Sequence, residues 1–201
     1  MGKVDLKPIK RLVMQFTIRG TSPLITHQWS EKAKREMREK QAGKKTKNRD
    51  ARNPDAEVES AAYRTANGQF GIPGLALKAA IIGAAHKDLG IERTLVRKAL
   101  FLVTNDPNKI IQLDALPPTK REDMVRVGMG TDLRYRPQWD EWAVTVQFEV
   151  DGDLLTPDDV ATLVDRAGFG VGIGEWRPEK GGEFGRFEID RTAPFVVEEK
   201  Q

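Results

Sequence analysis

Cysteine is absent from the 201-residue sequence, and histidine occurs only as His27 and His86. Without thiols there is no disulfide framework, no thiolate zinc site and no cysteine nucleophile, and two imidazoles alone do not make a structural metal centre. No metal and no cofactor are expected. Long apolar runs are missing as well: no stretch of eighteen apolar residues occurs, and the N-terminal MGKVDLKPIKRL lacks the apolar region of a secretory signal. Neither a membrane span nor export is indicated, so the expected location is the cytoplasm.

A hydrophobic content of 39% is enough for the core of one domain, 1–201, carrying a sizeable excursion. The charge is unevenly spread. Residues 32–52, KAKREMREKQAGKKTKNRDAR, hold ten Lys and Arg against three Asp and Glu, or +7, leaving 23 against 27, or −4, elsewhere. Attraction to a polyanion therefore belongs to this segment, Lys44 and Lys45 included, which can close over such a ligand like a flap. With few apolar residues and no sustained period, 31–62 reads as a mobile basic insertion outside the core, with a helical start at 31–41.

Alternation in RLVMQFTIRG sets Leu12, Met14, Phe16 and Ile18 on one face and predicts a first strand ending near Gly20. QFGIP is a short extended piece, and the small-residue run from Gly74 to Leu89 predicts a buried helix capped by Gly90. KALFLVT and KIIQLDA flank the turn signal NDPN as a candidate hairpin, and MVRVGMGTDLRYRP makes a second. Trp142, Val144, Val146, Phe148 and Val150 mark a long strand. In TPDDVATLVDRAG, Thr156 is the N-cap, Pro157 the first helical residue, Val160, Leu163, Val164 and Ala167 the inner stripe, and Gly168 the exit. RFEID closes the chain as a final strand. The order is β-α-β-β-α-β with an added hairpin, an α+β, ferredoxin-like or RNA-recognition-type arrangement.

GFGVGIGEWRPEKGGEFGRF, residues 168–187, spends seven of twenty positions on glycine. Missing Cβ atoms let main-chain N–H groups approach an extended ligand, or let a helix and a strand pack tightly; Trp176, Arg177, Lys180 and Arg186 among the glycines favour the ligand. The loop follows a helix, which is the wrong order for a dinucleotide or Walker site. In GIPGLALK, Gly74 at a helix start beside Lys78 is a seat for a phosphate, or ordinary capping. His27 is a candidate general base or a hydrogen-bonded surface residue. Arg134 and Arg136, interleaved with Tyr135 and Trp139, suit phosphate contact plus stacking, as they suit an aromatic hairpin packed on a neighbour.

Three motifs in one order, GTSPLI after the first strand, IPGxxLK opening the first helix, and GxGEWRPEKGGEFGRF after the last, resemble the RAMP superfamily, in particular the backbone subunits of CRISPR effector complexes. DLRYRP together with the glycine-rich stretch is also similar to uncharacterised phage proteins, which would place the chain in a host cytoplasm. The resemblance, spanning about Leu12 to Ile189, implies a hand-shaped, modified RNA-recognition fold that polymerises head to tail along a single strand, with the insertion as finger or thumb. It implies a groove lined by Ser22, His27, Gly74, Lys78, Gly172, Gly174, Arg177 and Lys180. Leu75 and Ala76 stand where the family has a small hydroxyl pair, and no aspartate matches the one some relatives use for cleavage, so nuclease activity is not transferred. The expected partner is single-stranded RNA or DNA, bound by a homo-oligomer or filament, with other subunits of a ribonucleoprotein complex as further partners. Two alternatives stand beside this: a metal-independent endoribonuclease using His27 with Lys78 or Arg177, and a structural subunit whose glycine loop packs on another protein.

Overall fold

A computed structural model describes residues 7–29, 31–43 and 52–200. The elements run β1 (Arg11–Gly20), β2 (Leu24–Ile25), α1 (Glu31–Gln41), α2 (Pro54–Ala61), β3 (Tyr63–Arg64), β4 (Phe70–Pro73), α3 (Gly74–Leu89), α4 (Arg93–Ala99), β5 (Leu100–Val103), β6 (Ile110–Gln112), β7 (Thr119–Val127), β8 (Gly130–Trp139), β9 (Ala143–Asp151), α5 (Pro157–Arg166), β10 (Phe187–Ile189) and β11 (Val196–Glu199). The fold is α+β, with three antiparallel sheets ordered β10-β1-β9-β5, β2-β8-β7 and β3-β4-β6; β11 also pairs with β1.

The period-two pattern of β1 and β9 decides where the core lies. Leu12, Met14, Phe16 and Ile18 are buried, as are Val144, Val146, Phe148 and Val150 opposite them, in a register running from Arg11↔Asp151 to Arg19↔Ala143. Against this face pack Leu77, Ile81 and Ala84 of α3, Val96 of α4, and Val160, Leu163 and Val164 of α5. Burying each large side chain contributes about 1.5–3 kcal/mol, which makes this layer the main source of stability. Helix α3 ends at Gly90 in a left-handed cap. Helix α5 opens with a reciprocal capping box between Thr156 and Asp159, which holds the Asp159 carboxyl below its ordinary range. It then widens into a π turn, Ala167–Val171, that leads into the glycine-rich loop.

Three expectations are corrected. β5 and β6 do not form a hairpin: β5 pairs with β9 and β6 with β4, so the NDPN turn connects two sheets. The RFEID strand is not the last, because the chain continues in the same direction past β10 and adds β11 farther along β1. The C-terminal half of the insertion belongs to the body of the protein: Ala61 and Ala62 are buried, Lys120 holds Asp55 at 2.8 Å, and Arg52 bonds Glu57, Asp132 and the Leu133 carbonyl. The hairpin at MVRVGMGTDLRYRP is present as β7 and β8. Among the described residues, no helix is long and apolar enough to cross a membrane.

Candidate nucleic-acid interface

Most of the loop glycines face other backbone. A Cβ on Gly174 would lie 2.3 Å from the Ile25 carbonyl, one on Gly182 1.8 Å from that of Trp176, one on Gly168 1.9 Å from that of Phe187. Gly172 is closed off by Pro178, Arg177 and the Gly185 carbonyl. The packing explanation thus accounts for these positions, and the expectation that Gly172 and Gly174 open the backbone to a ligand is corrected. Instead the loop is sewn to the segment after β1, with Glu175 N–H donating to Ile25 O at 2.8 Å and Gly185 N–H to Pro23 O at 2.8 Å.

Along that stitching lie two clefts that share Glu175 and Arg177 and together make a trough. Its inner part, a cleft of about 180 Å³, is lined by Thr26 and His27 after β1, Tyr63 of β3, Pro73 and Ala76 at the β4–α3 junction, and Gly174 with Arg177 of the loop. Its outer part, about 410 Å³ and open, shares Glu175 and Arg177 and adds Trp176 and Lys180. Four segments of the sequence meet here.

His27 is half-buried, and burial first, then the nearby Arg136 and Arg134 charges, push its pKa below 6.5 against the opposing pull of Glu175. It is therefore neutral at pH 7 and able to take a proton. Burial and then Glu175 raise the Tyr63 phenol. Arg177 donates to the Gly174 carbonyl at 3.0 Å and pairs with Glu179 at 3.0 Å. Lys87 foremost, and Arg177, hold Glu179 below its ordinary range. Trp176 is 40% exposed with φ 53°, a costly backbone state for a bulky residue, and meets Phe184 edge-on at 6.3 Å. Arg121 sits over both rings, 5.7 Å from Trp176 and 4.7 Å from Phe184.

His27 and Gly174 line the smaller cleft, Trp176 and Lys180 the larger, and Arg177 both, with Arg134 near enough to act on His27. The others serve elsewhere. Ser22 Oγ accepts from Arg186 N–H at 3.0 Å, and its carbonyl accepts from Trp142 Nε1 at 2.9 Å, so it is a clamp between strands. Gly74 is buried, its N–H already donated to Lys109 O at 2.8 Å, and a Cβ there would strike Leu102 and Ile111; close packing replaces the expected phosphate seat. Lys78 points toward α4 and β5, donating to Arg97 O at 3.2 Å, and burial lowers its pKa. Arg136 is 2% exposed and paired to Asp123 at 3.3 Å, with Glu175 at 3.9 Å, so its guanidinium is not offered to an external phosphate. Lys44 and Lys45 lie outside the described residues.

Sequence reasoning missed Tyr63 and Arg121. Tyr63 falls just past the stretch read as a mobile insertion, where no pattern marks it, and Arg121 is one charge among several in TKREDMV. Among the described residues, no three His, Asp or Glu side chains are grouped as metal ligands. Compared with known proteins, the sequence matches no family model and no curated relative.

Proposed function

We propose that the chain binds single-stranded nucleic acid with little regard to sequence, as a head-to-tail homo-oligomer along the strand. The observation that carries this is the trough, where a partly exposed Trp176 lies beside Arg177 and Lys180, with Arg134 near His27: an aromatic platform for bases next to cations for phosphates. The order β10-β1-β9-β5, with α3 between β1 and β5 in sequence and α5 between β9 and β10, supports a split βαβ, ferredoxin-like core. The resemblance to RAMP proteins favours RNA over single-stranded DNA.

Fluorescence anisotropy with labelled oligo(U) and oligo(dT), titrated in rising KCl, tests the proposal. Affinity should fall with a log–log slope of about −0.7 for each phosphate neutralised. Trp176→Ala should cost about 1–3 kcal/mol of binding, the range for loss of one stacked base. Lys180→Ala should weaken binding uniformly and make the slope shallower. No binding at low salt, or binding indifferent to salt, would overturn the reading in favour of a structural subunit that packs on protein.

A second reading, a metal-independent endoribonuclease, is favoured by one feature: a neutral, half-buried His27 in a cleft that also holds Arg177. It predicts that His27→Ala abolishes cleavage of a labelled RNA while leaving affinity within about twofold, there being no charge to lose at pH 7. Equal turnover by the variant and the wild type removes it.

A further inference from the structure

Three strands of the main sheet pair on one side only among the described residues: β5, on β9, at one edge, and β10 and β11, both on β1, at the other, where β11 is the longer. An edge strand turns unpaired N–H and C=O groups outward, and soluble proteins guard such edges with charge, proline or a covering element. β5 carries neither charge nor proline, and its Phe101 and Val103 are 53% and 37% exposed. β11 is half apolar and half acidic: Val196 and Val197, 38% and 40% exposed, precede Glu198 and Glu199.

We propose that β5 of one copy pairs with β11 of the next, so that the sheet continues from subunit to subunit. Strand direction permits it. β9 is antiparallel to both β1 and β5, so β5 runs with β1, whereas β11 runs against β1. A second copy shifted sideways without rotation therefore brings β11 antiparallel to β5, the geometry of strand addition. Full overlap of the two four-residue strands sets Val103 and Leu102 opposite Val196 and Val197, and Phe101 and Leu100 opposite Glu198 and Glu199. Just upstream, on α4 and separated from Leu100 by Ala99, come Arg97 and Lys98, both exposed, and Lys78 Nζ stands 4.6 Å from the centre of the Phe101 ring.

Apolar ends meet and acid meets base in this one pairing. β11 against β11, also antiparallel, would instead set each valine opposite a glutamate, and β5 against β5 would leave Arg97 and Lys98 at opposite ends of the contact with Glu198 and Glu199 outside it. Because the two patches differ, the contact is heterologous and repeats into an open array. The inference rests on the head-to-tail assembly proposed above and not on its ligand, so its test is run on full-length protein stripped of nucleic acid by nuclease.

Sedimentation velocity over a concentration series should show wild type associating. Arg97→Glu/Lys98→Glu makes both patches acidic and Glu198→Lys/Glu199→Lys makes both basic, so each variant alone should stay monomeric, with a wild-type circular dichroism melt. Their equimolar mixture restores opposite charges at every junction and should associate again. Phe101→Lys, at an exposed position, gives an independent block should either double variant melt early. Monomeric wild type, variants that associate like wild type, or a mixture that stays monomeric would each overturn the pairing. Oligonucleotide affinity measured on the same samples separates the two proposals, since binding lost with association intact overturns the ligand alone.

Discussion

Replacing Asp123 with alanine should lower the unfolding free energy by about 3–5 kcal/mol, the range for removing one partner of a buried ion pair. The side chains of Arg136 and Asp123 are 3% and 5% exposed, and Arg136 Nε is buried with no hydrogen-bond partner among the described residues. The hairpin register puts Arg121 directly opposite Arg136, an arrangement of like charges that is unfavourable by itself. Asp123 resolves it by accepting from Arg121 Nε at 2.8 Å and from Arg136 Nη1 at 3.3 Å. Alanine would leave two facing cations, one of them shut away from water. Asp123→Leu combined with Arg136→Met removes both buried charges and should cost less than Asp123→Ala alone, because the penalty comes from an unpaired charge and not from the loss of net attraction. Urea denaturation checks this: the midpoint should move while the slope stays constant. A loss below about 1 kcal/mol would mean that the pair behaves as an exposed one. Arg121 also rests on Trp176 and Phe184, so the same change should loosen the aromatic wall of the trough and weaken oligonucleotide binding in protein that is still folded.

Where local chemistry and burial agree, sequence was enough. The alternation of β1 and β9, the Thr156 cap with Pro157 behind it, and Gly90 at the end of α3 are each decided within a few residues, and the structure has them where the pattern puts them. The failures have a common cause in non-local pairing. NDPN is a turn, but its Asp106 accepts N–H groups from Ala66 at 2.7 Å, Asn108 at 2.9 Å and Ile110 at 3.1 Å, which ties the turn to the β3–β4 connection and sends β6 to another sheet. Four apolar residues in β5 could not disclose that Phe148 and Val150, more than forty residues on, supply their partner strand. Arg134 and Arg136 share a face by period; only the pairing of β2 with Gln138 and Trp139, which covers that end of β8, decides that Arg136 is buried. Glycine content pointed to a place where backbone comes close to something. It could not say whether that something was a ligand or the chain itself, and at Gly168, Gly174 and Gly182 it is the chain.

The same ambiguity makes Gly185→Ala the sharpest test of the loop, with an expected loss of about 3 kcal/mol. Gly185 has φ +66°, where a Cβ costs of order 1 kcal/mol before any contact is counted. The remainder comes from space: the new Cβ would stand 1.8 Å from the Ile173 carbonyl oxygen. Backbone must then move on both sides, and two hydrogen bonds are at stake, Ile173 N–H to Gly185 O at 2.9 Å and Gly185 N–H to Pro23 O at 2.8 Å. Gly181 supplies the control, since its φ is +79° yet nothing lies within 4 Å of its Cβ position. Gly181→Ala should therefore cost only the conformational part, about 1 kcal/mol. Thermal and urea melts of the pair isolate the close approach as the difference between them, and equal losses would show that the loop is not tied at Gly185. The functional consequence follows from position: the Pro23 bond anchors the loop to the segment that carries His27. Gly185→Ala should thus reduce oligonucleotide affinity in still-folded protein more than Gly181→Ala does, although neither glycine contributes a charge.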